Sequence, residues 1–250
     1  MTCIQQVEMT DELALEVAAE LKPKATLDRL ADAGHRLRSR PDVLRSHLRF
    51  LASSPDRLAE VSRSAYWHVN GFAKIKLVER DDFCVRLHVW PAGKDRTGDR
   101  DPHSHRWDFA SWIVVGPGLS EMHFTVTDSS DTGGLRHVEY DYGRCRAGDR
   151  HGKPRLKPGG GVAWLRAKAP LVRDYDSVYA CSHTVIHTVA PAPGGDLVAT
   201  IVLQGPPLAD SNAVYRSYGH RHFPALERPI DLTDLGVLIR AVEAAITIRQ

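Results

Sequence analysis

Two histidines, His103 and His105, stand one residue apart at the start of a strand-like run in the stretch DPHSHRWDFASWIVVGPG. In a β-strand, residues i and i+2 point to the same face, and their Cα atoms lie about 6.6 Å apart. Two imidazoles in that arrangement can lean onto one metal ion at about 2.1 Å. The spacing therefore predicts part of a metal site, which needs a further ligand from elsewhere in the chain.

Spacing alone is weak support, because the chain has 13 histidines and contains a second such pair, His220 and His222 in YGHRHFPALERP. That second pair lies among arginines and prolines with no strand pattern, and we interpret it as a chance event. The pair at 103 and 105 has different surroundings. A strand ending in HVWPAG precedes it, and the strand FASWIVVG, which ends in a glycine turn, follows it.

A third histidine, His187 in SHTVIHTVAP, lies far along the chain in another predicted strand. In a closed roll, such distant strands face each other across the interior. Three histidines from two strands then make an open facial site. His183 shares the parity of His187 but lies about 13 Å away along a regular strand, so both cannot bind one ion without a bend. Asp108, His123 and His183 stay open as further members of the site.

The elements that must position these residues change in character after Tyr66. Before it, helical periodicity predicts four helices, the first capped by Thr10 and two others beginning at Pro41 and Pro55. After it, eight short runs rich in Val, Ile, Phe, Trp and Tyr alternate with Gly, Pro and Asp turns, which is typical of a double-sheet roll or small barrel. One of these predicted strands is VYACSHTVIHTVA, 178–190.

The chain ends in a helix with an apolar stripe, DLTDLGVLIRAVEAAITI, which we expect on the outside of the barrel. The fold class is therefore predicted as mainly β, with helices at both ends. We divide the chain into an N-terminal helical segment packed on the barrel, 1–65, the β-barrel, 66–219, and a C-terminal extension with a helix, 220–250.

Composition argues for a soluble protein without nucleic-acid or membrane partners. The 250 residues are 42% hydrophobic and 26% charged with a net charge of +2, and no basic block is interleaved with aromatic residues. No apolar run reaches the roughly 18 residues that span a bilayer, and the N-terminus lacks the pattern of a signal peptide. The four cysteines, Cys3, Cys84, Cys145 and Cys181, are scattered, so we expect reduced thiols and a cytoplasmic location. The oligomeric state stays open.

The layout resembles a cupin, and within the cupins the cysteine dioxygenase group of thiol dioxygenases. The resemblance runs from roughly Tyr66 to Gly219. It rests on the order and spacing of RLHVWPAG, HSH followed by a strand, VIHTVAP, and IVLQGPPLADSNAVYRSYG. It implies a jelly-roll barrel with a three-histidine ferrous site. His103 and His105 match the first-motif ligands of the family, and His187 matches the second-motif ligand.

The chain departs from the cysteine-specific enzymes at three places. Val202, Leu203 and Gln204 stand where those enzymes have a His-x-Tyr pair. Only Lys74 and Lys76 stand on the first strand, where the family's carboxylate-binding arginine lies. The cysteine of the family's thioether crosslink is missing near DFASW. Free cysteine is therefore not predicted as the substrate.

The ligand set is expected to hold no carboxylate. Many cupins have a glutamate several residues after the second histidine, but here Phe109 occupies that place and Asp108 precedes it. Three neutral imidazoles leave an Fe(II) ion with open positions for a bidentate substrate and O₂, although Zn(II), Mn(II), Ni(II) and Co(II) suit the same ligands. Fe(II) is the expected cofactor, with another divalent transition metal as the alternative.

The residues predicted to contact a small-molecule substrate are Arg86, Lys74 and Trp112. Arg86, His88 and Trp90 share one parity on the strand VRLHVW. If that face is inward, Arg86 can clamp a carboxylate through two hydrogen bonds, and the alternative is an arginine at a solvated sheet edge. Lys74 carries the same two interpretations, and Trp112 is expected in the core or in the pocket wall.

Three functions remain in competition at this point. The first is a mononuclear non-haem Fe(II) dioxygenase or oxygenase that acts on a small molecule with O₂. The second is a non-oxidative metal-dependent cupin, such as an isomerase, lyase or decarboxylase. The third is a non-enzymatic ligand-binding cupin in which the first-motif histidines are structural. The resemblance favours the first.

Overall fold

The structure is a computed structural model that describes residues 3–68, 70–93, 98–99, 101–130, 133–143, 155–218 and 227–248. The histidine pair at 220 and 222 and Cys145 lie outside these residues. Within the described part of the chain, the helices are α1 (Cys3–Leu21), α2 (Leu27–Ser39), α3 (Pro41–Ser53), α4 (Pro55–Ser62) and α5 (Leu232–Ile248). The strands are β1 (Tyr66–Trp67), β2 (Ala73–Glu79), β3 (Cys84–Trp90), β4 (Phe109–Val115), β5 (Gly118–Thr127), β6 (Leu135–Gly143), β7 (Arg155–Ala167), β8 (Leu171–Asp174), β9 (Val178–Cys181), β10 (Ile186–Pro191), β11 (Val198–Gln204), β12 (Ser211–Ser217) and β13 (Arg228–Pro229).

The helices begin where local sequence signals place them, with one exception. The Thr26 side chain caps α2 by accepting a hydrogen bond from the third helical N–H. Pro41 and Pro55 stand in the first turns of α3 and α4, where a missing N–H costs nothing. The predicted N-cap at Thr10 is wrong, because α1 already begins at Cys3. None of the described helices combines the length and the apolar character that crossing a bilayer requires.

The strands form two antiparallel sheets that curl around a common interior. The seven-stranded sheet has the order β13-β1-β2-β3-β11-β4-β9, and the six-stranded sheet contains β10-β5-β7-β6-β12 with β8 paired to β5. β11, which comes late in the chain, lies between β3 and β4. This interleaving of early and late strands is typical of a jelly roll. The predicted fold class, a mainly β jelly-roll barrel with helices at both ends, is confirmed.

The single strand predicted over 178–190 is wrong, because two strands in opposite sheets occupy it. β9 pairs with β4 in the seven-stranded sheet, whereas β10 pairs with β5 in the six-stranded sheet. A turn joins them, in which the Val185 N–H donates to the Ser182 carbonyl oxygen at 3.0 Å. His183 therefore lies in the turn, and His187 lies on the far side of it in β10.

The outer face of the seven-stranded sheet packs against the helices in one large core. β4 is buried along its whole length, because the helices cover one face and the barrel interior lies on the other. Ala110, Trp112 and Val114 belong to the core shared with the helices. Phe109 and Ser111 alternate with them and face the interior. The parity of β4 thus decides which of its side chains can reach a site inside the barrel.

Candidate metal centre

The segment 102–105 lies between the two edge strands of the six-stranded sheet and joins them. The His103 N–H donates to the His187 carbonyl at 3.0 Å, and the His187 N–H donates back to the His103 carbonyl at 2.9 Å. On the other side, the Ser104 N–H donates to the Ala213 carbonyl of β12 at 2.9 Å. This pairing places two histidines from distant parts of the chain directly opposite each other.

The imidazoles of His103, His105 and His187 converge on one point. Their ligand nitrogens all lie within 4.8 Å of one another, and the His105 and His187 Nε2 atoms are 2.8 Å apart. The rings meet at interplanar angles of 72°, 59° and 79°. Two nitrogens bound at right angles, each about 2.1 Å from one ion, lie about 3.0 Å apart. The three side chains therefore fit a shared divalent transition metal.

Hydrogen bonds determine the tautomers of His187 and His103, and so which ring nitrogen of each is available to a metal. His187 Nδ1 lies 2.8 Å from Glu121 Oε1, and His103 Nδ1 lies 3.1 Å from the Asp101 carbonyl oxygen. Carboxylate and carbonyl oxygens only accept, so the proton of each ring lies on Nδ1. The Nε2 atoms of His187 and His103 are then lone-pair donors for a metal, the arrangement that hydrogen-bonded metal ligands commonly show.

Glu121, which was not predicted, orients the deepest of the three histidines. It is 0% exposed, and its Oε2 accepts from Arg173 Nε at 2.9 Å and Nη2 at 2.8 Å. Burial alone would raise the pKa of Glu121, but hydrogen bonds from His187, Arg173 and His123 outweigh it and lower the pKa to about 2. The side chain is therefore an anion beside the site. The motif Glu121-x-His123, with both side chains on one strand face, was the sequence signal that could have found it.

The structure brings none of the three open candidates into the histidine cluster. Asp108 Oδ1 accepts from the His183 backbone N–H and lies 2.8 Å from His183 Nδ1. His123 lies behind Glu121, with its Nε2 3.0 Å from Glu121 Oε1. Across the described residues, the group that contains His103 and can hold a metal has only His105 and His187 beside it.

A second group of possible ligands, Glu121, Cys181 and His187, shares one histidine with the first. Its contact between Glu121 and His187 is the hydrogen bond described above. Burial, together with the charge of Glu121, raises the pKa of the Cys181 thiol to about 12. In this group the His187 ring nitrogen that faces Glu121 is already used in the hydrogen bond to that carboxylate.

A cavity of about 100 Å³ lies beside His103 and His105. Arg86, His88 and Trp90 of β3 all line it, as their shared parity requires if that face is inward. Aromatic rings form part of the wall, and Phe109 meets the His105 ring edge-on with centroids 4.9 Å apart. Aromatic, aliphatic and polar side chains therefore line one cavity, which lies directly beside the candidate metal site.

Two of the three residues predicted to contact substrate lie on this cavity. Lys74 of β2 and Arg86 line it, whereas Trp112 is not among its lining residues. Trp112 is 4% exposed, packs in the helix-side core, and donates from Nε1 to Asp176 Oδ1 at 3.0 Å. Its odd-numbered neighbour Ser111 faces the cavity instead, because the side chains of β4 alternate between the two faces.

Comparisons with known proteins add descriptions of similar folds. The chain matches no protein-family model and no curated protein. Among solved structures, it is similar to an RmlC-like cupin with a double-stranded β-helix fold from Methanocaldococcus jannaschii, at 13% identity and a TM-score of 0.28, over 56% of this chain and 84% of that one. It is similar to a cupin domain from Bordetella pertussis Tohama I at 10% identity and a TM-score of 0.29, over 54% and 93% of the two chains.

FeII HppE is a third similar structure, at 10% identity and a TM-score of 0.30, over 55% of this chain and 52% of the HppE chain. The matched region thus spans about half of HppE. Likenesses at these identities and TM-scores carry no argument about metal, ligand or activity. The jelly-roll assignment rests on the strand order and pairing of this chain, and the candidate metal centre rests on its three converging histidines.

Proposed function

We propose that this protein is a mononuclear non-haem iron dioxygenase or oxygenase of the cupin type, with Fe(II) held by His103, His105 and His187. One observation carries the proposal. Three imidazoles, two from the segment 102–105 and one from β10, converge beside a cavity, and among the described residues no carboxylate belongs to the ligand group that contains His103 and His105. Three nitrogen ligands on one side leave coordination positions on the cavity side.

When bound, iron supplies the redox chemistry between O₂ and an organic molecule, which protein side chains cannot supply. The chain's own residues have three other roles. Glu121 holds His187 in one tautomer and orientation. Phe109 and Phe72 keep water away from the space beside the histidines. Lys74 and Arg86 line the cavity, where the guanidinium of Arg86 can orient an anionic group.

A second candidate is a non-oxidative metal cupin, and one observation favours it. Burial, together with the neighbouring charge of Arg86, lowers the pKa of Lys74 from 10.5 to about 7. An amine with such a pKa can accept and return a proton near neutral pH, as an isomerase or lyase requires. Turnover of a substrate without O₂ would favour this candidate over the first.

The test is O₂ consumption by protein loaded anaerobically with Fe(II) and then mixed with aerobic buffer and a panel of small carboxylates and neutral analogues. We expect uptake that depends on an organic compound. It should be absent from Zn(II)-loaded protein and from His187→Ala, and it should be retained in His183→Ala, which removes a nearby histidine outside the cluster. No uptake with any compound, together with zinc as the metal of the isolated protein, would contradict the proposal.

A further inference from the structure

Lys74 is an ionisable side chain on the wall of the cavity. It lies on β2 between Tyr66 of β1 and His88 of β3 in the register of the sheet, and it is partly buried. Among the residues that the structure describes, it forms no hydrogen bond and no ion pair. A buried ammonium group without a carboxylate partner is costly, so this position favours the neutral amine.

The charges around Lys74 act in the same direction. Burial lowers its pKa most, and the positive charge of Arg86 lowers it further. The acidic groups of Glu227, Asp99 and Cys84 raise it, and the balance is a pKa of about 7. A large fraction of the amine is therefore uncharged at neutral pH.

The two carboxylates near the amine have other partners. Asp99 accepts a hydrogen bond from the Val189 N–H at 2.9 Å. Glu227 hydrogen-bonds Tyr66, and burial raises the pKa of Tyr66, so that its hydroxyl keeps its proton. Neither carboxylate forms an ion pair with Lys74 within the described part of the chain.

The histidines near the amine carry no charge at pH 7 that would change this balance. Burial lowers the pKa of His68 and of His88 well below the usual 6.5. It also lowers the pKa of two members of the histidine cluster, His103 and His105. Arg86 is thus the permanent positive charge that faces Lys74.

A structural role alone does not explain an amine at this position. An apolar side chain of similar length would fill the same space without the cost of burying an ionisable group. A neutral lysine amine in a desolvated pocket, next to another cation, is a nucleophile, and its usual reaction in proteins is the formation of an imine with a carbonyl compound. Lys74 and Arg86 have this arrangement.

The walls beside Lys74 suit a small uncharged molecule with one polar atom. Phe72 and Trp90 line the cavity with ring centroids 4.8 Å apart. Three buried atoms on the same wall, His88 Nε2, Trp90 Nε1 and Thr200 Oγ1, lack a hydrogen-bond partner within the described residues. Lys74, His88 and Thr200 lie side by side on three neighbouring strands, about 4.8 Å apart. Most buried polar atoms in proteins are paired, so this group indicates a ligand with an oxygen atom next to the amine.

We propose that Lys74 captures a small aldehyde in the cavity as an imine. The lone pair of the amine nitrogen forms a bond to the carbonyl carbon, and one proton moves from nitrogen to the carbonyl oxygen to give a carbinolamine. The hydroxyl group then leaves with the second N–H proton as water. One amine and one aldehyde thus give one imine and one water, and nothing is oxidised or reduced.

The site limits the size of the aldehyde and holds its oxygen. The cavity volume of about 100 Å³ is a few times the roughly 30 Å³ that one water molecule occupies in the liquid, so only a few non-hydrogen atoms fit. His88 and Thr200 lie where they can hydrogen-bond the oxygen of the carbonyl group and of the carbinolamine. The inference goes beyond the proposed function, because imine formation needs neither a metal nor O₂.

The test is reductive trapping in the full chain, both metal-free and Zn(II)-loaded. Propanal and sodium cyanoborohydride are added, and peptide mapping by mass spectrometry measures the rate at which each lysine gains a propyl group. Cyanoborohydride reduces the imine to a secondary amine, which fixes the aldehyde where it reacted. The α-amino group of the chain, with an ordinary pKa of about 7.7–8.0, is the internal standard.

We expect Lys74 to be labelled at least about tenfold faster than any other lysine at pH 7. About half of Lys74 is neutral at that pH, against roughly one in 2,500 for a lysine with the ordinary pKa of about 10.4. Between pH 9 and pH 7 the neutral fraction of an ordinary lysine falls about 100-fold, whereas that of Lys74 falls about twofold. The labelling rates should differ in the same way.

Two variants and a matched control connect the label to this site. Lys74→Arg has no reactive amine and should lose the fast label. Arg86→Gln keeps Lys74 but removes the charge that lowers its pKa, so labelling of Lys74 at pH 7 should fall at least about twofold relative to the α-amino group. Lys76→Arg should leave labelling of Lys74 unchanged, since Lys76 lies on the same strand but pairs with Glu79. Thermal melts establish that each variant is folded.

Labelling of Lys74 at pH 7 no faster than that of the other lysines would overturn the inference, and so would a decline between pH 9 and pH 7 as steep as theirs. 2-Naphthaldehyde, whose fused rings exceed the cavity, should label the α-amino group and spare Lys74; equal labelling of both would contradict capture inside the cavity. Oxygen uptake by the Fe(II) protein without fast labelling of Lys74 would remove this inference and leave the proposed function intact. Fast labelling without O₂ uptake would uphold the inference and count against the proposed function.

Discussion

Replacing Glu121 by glutamine perturbs the contact that orients His187. The wild-type carboxylate accepts from His187 Nδ1 through one oxygen and from Arg173 through the other. Glutamine keeps the shape, but one end becomes an NH₂ group that can only donate. If the amide oxygen faces His187, the NH₂ faces the donors of Arg173. If the amide turns over, the NH₂ faces the Nδ1–H of His187. Either orientation places donor against donor.

The substitution affects two quantities, the metal affinity through His187 and the folding stability through Arg173. Hydrogen-bond partners of metal-bound histidines typically contribute about 10- to 100-fold to metal affinity, or about 1.4–2.8 kcal/mol. Removing one member of a fully buried ion pair costs about 3–5 kcal/mol of folding stability. The Arg173 side chain is 25% exposed, so water can hydrate it, and we expect the loss of stability to be smaller, about 1–3 kcal/mol.

Anaerobic calorimetric titration with Fe(II) or Co(II) measures the affinity, and urea denaturation of the metal-free protein measures the stability. Glu79→Gln is the matched control, because Glu79 is exposed and pairs with Lys76, away from the histidine cluster. We expect the control to match wild type in both assays. If folded Glu121→Gln binds metal within about twofold of wild type, where at least tenfold weaker binding is expected, then Glu121 does not position a metal ligand.

Three further changes test other parts of the structure. Lys74→Met should stabilise the metal-free protein to urea. The pKa of Lys74 is about 7 in the folded protein and about 10.5 in the unfolded chain. Between these pH values the unfolded chain binds the proton better, so the wild-type protein loses folding stability as the pH falls from about 10.5 to about 7. The gain in the free energy of unfolding of Lys74→Met over wild type should therefore be largest at or below about pH 7, with an upper bound of about 5 kcal/mol, and small near about pH 10. An equal gain at both pH values would contradict the burial of this amine. Trp112→Phe should lower the melting temperature, because the indole hydrogen bond to Asp176 is lost, and leave metal affinity unchanged. A large change in metal affinity would contradict the location of Trp112 in the helix-side core. Gly118→Ala should cost about 2 kcal/mol or more in urea denaturation, because its φ is +130° and an added Cβ would collide with the Arg173 carbonyl oxygen; a stable variant would contradict this packing of β5 on β8.

Local features of the fold were predictable from the sequence because their causes are local. Pro41 and Pro55 mark helix starts through their fixed φ. The parity of β3 correctly grouped Arg86, His88 and Trp90 on one face, since alternation is a property of any strand. Parity alone leaves open which face is inward, and the packing of the helices on the opposite face decides it.

The errors arose where distant contacts override local pattern. The run 178–190 has continuous strand character, yet it divides into β9 and β10 because its two halves pair with different sheets. The sequence left Trp112 open between the core and the pocket wall, because β4 is apolar on both faces and shows no alternation. The structure packs it in the core. Glu121 was missed because a single carboxylate in a strand gains meaning only from His187, which is 66 residues away in the chain.

The meeting of His103, His105 and His187 around one ion is the central claim, and metal titration of histidine variants tests it most directly. Wild-type protein and His183→Ala should each bind one equivalent of Fe(II) or Co(II) per chain, because the His183 side chain pairs with Asp108 outside the cluster. His187→Ala should lose at least about two orders of magnitude in affinity while it remains folded, since one of three ligands is gone. Retention of wild-type affinity in His187→Ala, or its loss in His183→Ala alone, would contradict the account.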